Sequence, residues 1–106
     1  MMKSIYIRPI LNELQKLIEE AENGRRSVQI DTASWFAEYA FYTGRIRAIQ
    51  QIKEFLSTYD IPVLLKIKQL IDDAEQHIEY GGITERCFYH GKINGLEQIK
   101  EFIQQL

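Results

Sequence analysis

The chain has 106 residues, 45% of them apolar and 26% charged, with a formal net charge of -2. These values fit one globular domain and exclude a disordered tract, a collagen-like chain or a disulfide mini-scaffold. The slight acidity also argues against a dedicated nucleic-acid domain, whose phosphate contacts usually demand a basic excess.

The first nine residues contain no long apolar run, so no signal peptide is expected. A first helix is predicted over 9–23. Ile10, Leu11, Leu14, Leu17, Ile18 and Ala21 recur at steps of three and four, which places them on one stripe. Pro9 suits a first turn, where its missing N–H costs nothing. Asn23-Gly24 reads as the stop. Glu19, Glu20 and Glu22 fall mostly on the solvated face of this helix.

The second helix is predicted over 32–58, with Asp31 or Thr32 as its cap. It opens on the aromatic cluster Trp35, Phe36 and Tyr39. It then carries two apolar stripes, Tyr42-Ile46-Ile49-Leu56 and Phe41-Gly44-Ala48-Ile52-Phe55. Two stripes imply two packing neighbours, so this helix should be central.

The third helix is predicted over 62–79 and the fourth over 84–105, with Gly81-Gly82 between them and Thr84 as the cap. Both echo the first half. Phe41-Tyr42-Thr43-Gly44-Arg45-Ile46 aligns with Phe88-Tyr89-His90-Gly91-Lys92-Ile93 at an offset of 47, and the match continues to Leu56 and Ile103. The helix before it aligns at an offset of 53: Pro9 with Pro62, Leu14 with Ile67, Ala21 with Ala74. The first unit therefore carries six extra residues, around 24–30, between its two blocks. Indels concentrate in surface connections, so each unit reads as helix, turn, helix. The expectation is an all-α four-helix bundle. It is built from two tandem αα-hairpins, about 9–58 and about 62–105, within one domain spanning 1–106.

Glycine inside a helix costs roughly 0.5–1 kcal/mol relative to alanine. Gly44, Gly91 and Gly95 must therefore answer to something else. With Ala48, the spacings Gly44-x-x-x-Ala48 and Gly91-x-x-x-Gly95 put small residues on one face. That predicts a close crossing of the two long helices.

Other chemistry is less well supported. The acidic clusters Glu19-Glu20-Ala21-Glu22 and Asp72-Asp73-Ala74-Glu75 suggest an alternative, a Mg²⁺-dependent hydrolase. All-α nucleotide pyrophosphohydrolases of the MazG type use a comparable Glu-Glu-x-x-Glu set, but the spacing here is Glu-Glu-x-Glu. Cys87 and His90 lie one helical turn apart, yet a zinc site needs three or four ligands. Arg25, Arg26, Arg45, Arg47, Arg86 and Lys92 are scattered, so nucleic-acid binding is a third, weaker reading.

The leading expectation is a small, non-enzymatic interaction protein, an adaptor, inhibitor or regulator, with no metal or cofactor. The single Cys87 suits a reducing, cytoplasmic setting. The longest aliphatic run, 61–65, is far short of the roughly 18 residues that suggest a membrane span. Two candidate interfaces follow. The apolar ends Phe55, Leu56, Phe102 and Ile103 outrun the shorter helices and should pair in a homodimer. Trp35 and Tyr39 offer an aromatic anchor for an unidentified protein partner.

Overall fold

The computed structural model describes residues 4–30, 34–58 and 62–106. Four helices follow one another: α1 (Ser4–Arg26), α2 (Trp35–Thr58), α3 (Val63–Tyr80) and α4 (Ile83–Gln104). No strand occurs among the described residues. The all-α four-helix fold expected from periodicity is what forms.

Several boundaries differ from the expectation. α1 begins at Ser4, so Pro9 lies inside the helix instead of in its first turn, exposed to solvent. The same helix runs through Gly24 to Arg26. It closes where Ser27 donates its backbone N–H to Asn23 O and its hydroxyl to Gly24 O, at 3.1 and 2.8 Å. The anticipated caps of α2, Asp31 and Thr32, lie outside the described residues. Within them, the Ser34 carbonyl accepts the N–H groups of Ala37 and Glu38. Thr84 is not a cap. Gly82 occupies the N-cap position of α4 without a side-chain bond, and Thr84 sits inside the first turn. Gly81-Gly82 does end α3, through extended backbone.

The two hairpins are antiparallel. In the first, Lys53 Nζ reaches Gln15 Oε1 at 3.2 Å near one end, and Gly24 meets the Tyr42 ring near the other. In the second, His77 stacks on Tyr89 with ring centroids 4.6 Å apart. The long helices α2 and α4 share the largest contact surface, α1 covers α2, and α3 covers α4. α2 and α4 run parallel. The start of one lies beside the start of the other, and Arg45 reaches forward to Gln98.

The core fills the end where α2 and α4 finish. Ile10 and Leu14 from α1, Ile49 and Ile52 from α2, Ile67 from α3 and Leu96 and Ile99 from α4 are essentially excluded from water. Each such side chain contributes roughly 1.5–3 kcal/mol of transfer free energy. Most of the stripe predicted for α1 is buried; in α3 Val63, Ile67 and Ala74 are buried, Leu70 and Ile71 partly so, and Leu64, expected on the same stripe, is exposed, as are Glu19, Glu20, Asp72 and Asp73.

The expected interface residues lie at the edge of this core. Phe55 belongs to this core at 4% exposure, and Leu56, Phe102 and Ile103 pack against it. Phe55 is thus buried within the chain, and the other three are only partly so. α1 contributes Ile10 and Leu14 to the core beside Phe55. α3 brings Val63 and Ile67 to the same place.

Candidate functional site: an aromatic groove beside a glycine crossing

The crossing of α2 and α4 is the tightest point in the molecule. A methyl group built on Gly44 would collide with the Phe88 carbonyl, whose carbon would lie only 2.8 Å away. A methyl on Gly91 would collide with the Phe41 carbonyl in the same way, again at 2.8 Å from its carbon. The obstacle is backbone on both sides, so no side-chain rotation relieves it. Only a hydrogen on each glycine Cα fits, an arrangement suited to Cα–H···O contact. One turn further on the helices have separated slightly. Ala48 carries a methyl there, fully buried. A methyl on Gly95 would meet Arg45 O and Ile49 Cγ1 at 3.4 Å, an ordinary packing distance. The three glycines expected at the crossing all face the opposite helix, and Ala48 is buried.

Polar side chains flank it unevenly. Arg45 Nη2 donates to Gln98 Oε1 across the helix pair. Burial lowers the pKa of this guanidinium, while Glu20 and Tyr42 act the other way. At the equivalent place Lys92 does not pair with Gln51, whose Oε1 is buried without a hydrogen-bond partner. Lys92 lies over the rings of Phe88 and Tyr89 at 5.6 and 5.8 Å. Burial pulls its pKa below the usual lysine range, Asp73 opposes that shift, and Arg47 adds to it.

From the crossing towards their N-termini, the parallel helices leave a groove of about 560 Å³. Trp35, Phe36, Tyr39, Ala40 and Thr43 form one wall; Thr84, Glu85, Phe88 and Tyr89 form the other. Five of these nine residues are aromatic, and the volume is that of a small-molecule or peptide site, roughly 300–1,000 Å³. Phe36 is 59% exposed and Tyr39 45% exposed. Such large apolar side chains are left wet at a cost, and their clustering distinguishes them from scattered surface residues. Trp35 stacks on Phe36 with centroids 3.9 Å apart and meets Tyr39 edge-on at 6.5 Å. The α2 wall is thus one connected aromatic surface. Arg25 Cζ sits over the Tyr39 ring at 5.4 Å, which ties the end of α1 to the groove rim.

The sequence singled out Trp35 and Tyr39, and both line the groove together. It did not associate them with Phe88 and Tyr89 on the other wall. The available signal was the repeated aromatic pair, Phe41-Tyr42 and Phe88-Tyr89, one turn before each crossing glycine.

The other candidate residues do not converge. No group of three or more His, Cys, Asp or Glu side chains able to hold a metal occurs among the described residues. Asp72 and Glu75 border a groove of about 570 Å³ where Lys68 and Lys100 interleave with the acids. Cys87 is half-buried on a different groove from His77. Several basic residues are engaged within the chain: Arg45 with Gln98, Arg26 with Asn23 Oδ1 at 3.0 Å, and Arg86 with Gly81 O at 3.0 Å. No helix among the described residues is long and apolar enough to cross a membrane.

Comparison with protein-family models, with curated proteins and with solved structures finds no match.

Proposed function

We propose that this is a small, non-enzymatic interaction protein, an adaptor, inhibitor or regulator that binds another protein through the aromatic groove. The observation that carries the reading is the pair of exposed rings, Phe36 and Tyr39, on a connected aromatic wall facing Phe88 and Tyr89. Aromatic side chains supply large contact area at low entropic cost and are enriched at binding hot spots. A wall mounted on two helices locked backbone to backbone is already ordered before binding, which lowers the cost of association. The proposal includes the internal duplication read from the sequence and a cytoplasmic setting.

The test is affinity capture from the native host by the full chain, read by quantitative mass spectrometry. The wild type is compared with the double variant Phe36→Asp, Tyr39→Asp. Both positions are exposed, so the variant should fold, which circular dichroism checks. A protein retained by the wild type and lost with the variant is the expected result. Equal capture by both chains, with the variant folded, refutes the groove as the binding surface.

A further inference from the structure

The two sides of the crossing match at the backbone and differ in one side-chain pair. A methyl built on Gly44 would lie 3.2 Å from Lys92 N, and one on Gly91 would lie 3.1 Å from Arg45 N. Positions 45 and 92 therefore stand almost equally close to the opposing helix. Their counterparts across the pair, Gln98 and Gln51, are likewise related by the offset of 47. Arg45 uses this geometry, and its Nη2 donates to Gln98 Oε1. Lys92 does not. Gln51 Oε1 is buried with no hydrogen-bond partner. Lys92 Nζ lies instead over Phe88 and Tyr89, 5.6 and 5.8 Å from the ring centroids.

An unpaired buried acceptor carries a penalty of the same order as the stabilisation from a cation–π contact. The two positions open to Lys92 are therefore close in free energy. Lysine suits such an exchange, because its compact ammonium rides on a flexible stem, whereas a guanidinium holds a fixed fork. Nearby charges bias the choice: Asp73 on α3 favours the charged amine and Arg47 on α2 opposes it. We infer that Lys92 is a latch with two alternative seats, one over the Phe88 and Tyr89 rings and one on Gln51 Oε1. In the ring seat the crossing keeps a single side-chain clasp of this kind, Arg45 to Gln98. In the Gln51 seat Lys92 adds a second clasp between α2 and α4 and leaves Phe88 and Tyr89, which line the aromatic groove. The seats exclude each other, so loss of the ring seat shifts Lys92 to Gln51.

Denaturant titration of the full chain tests the latch through a double-mutant cycle of Lys92→Met and Gln51→Leu, which isolates the interaction between the two side chains. The cycle is run twice, once with the native rings and once with Phe88→Leu, Tyr89→Leu, where leucine offers no cation–π seat. With the native rings the two changes should act independently on the folding constant. Without the rings they should couple, by at least about threefold in that constant, the size of a modest hydrogen bond. Absence of coupling in both backgrounds overturns the second seat. Equal coupling in both means that Lys92 sits on Gln51 throughout, and overturns the latch. If circular dichroism shows the ring-free chain unfolded, Lys92→Arg with the native rings decides. Arginine there should copy Arg45 and raise the folding constant at least about threefold when Gln51 is present, and should not do so with Gln51→Leu. The same effect with and without Gln51, or no effect with either, overturns the inference.

Discussion

Alanine at the three helical glycines separates close approach from helix propensity within one molecule. Replacing glycine by alanine in a helix interior gains about 0.5–1 kcal/mol where nothing obstructs the new methyl. At Gly95 the methyl meets its neighbours at 3.4 Å, so Gly95→Ala should keep most of that gain. At Gly44 and Gly91 the methyl collides with a carbonyl of the opposite helix, and α2 and α4 must move apart. Overpacking typically costs about 1–3 kcal/mol, and a backbone obstacle favours the upper part of that range. After subtracting the propensity gain, each of Gly44→Ala and Gly91→Ala should destabilise by about 1–2 kcal/mol. A melt followed by far-ultraviolet circular dichroism should then show each midpoint lowered by about 4–15 °C, with Gly95→Ala at or above wild type. The two glycines also share one crossing. Once either methyl has pushed the helices apart, the second meets less resistance. The double variant should therefore cost less than the sum of the singles, by about 0.5 kcal/mol or more. Wild-type midpoints for both Gly44→Ala and Gly91→Ala, or strict additivity between them, would refute the reciprocal crossing.

Three further outcomes follow from the packing. Gln98→Leu should cost about 1–3 kcal/mol because it strips the half-buried Arg45 of its acceptor. Gln51→Leu should be neutral or stabilising by denaturant titration, because it removes an acceptor that has no partner. Lys92→Met should raise the melting midpoint at neutral pH. Lys92 has a lowered pKa, so burying its charged form is a penalty that is fully present below the folded pKa. The folded state loses its proton first as pH rises, so the penalty fades towards 10.5, the ordinary value. The advantage of Lys92→Met should shrink over that window; an advantage that grows with pH contradicts the assignment. Phe102→Asp should cost about 2–4 kcal/mol by placing a charge against the core and should leave the mass in light scattering unchanged. A halved mass with little loss of stability would instead return Phe102 to a subunit interface.

The apolar stripes of α1 and α3 were legible because one covered face on an amphipathic helix leaves a clean period of three and four. The crossing was legible too, since helical glycine in Tyr-x-Gly-(Arg/Lys)-Ile has few uses other than close approach. The sequence did not reveal which end of the long helices stays open. Pro9 also hid the first turn of α1, by suggesting a start where the helix merely tolerates an exposed proline. Phe55 looked uncovered in the sequence and is a buried core residue. The groove needed the relative direction of α2 and α4, which no single-helix pattern encodes. Trp35 and Tyr39 were visible as a cluster, but their meeting with Phe88 and Tyr89 is a tertiary fact.

The open groove is the surface proposed to meet a partner. Site-specific photo-crosslinking in the native host tests this directly. A benzophenone side chain replaces Phe36 in one strain and Leu65, an exposed apolar residue on α3, in another. The groove account predicts a discrete adduct to another protein from position 36 and none, or far less of it, from position 65. The same adduct in equal yield from both positions, or an adduct from position 65 alone, would contradict it.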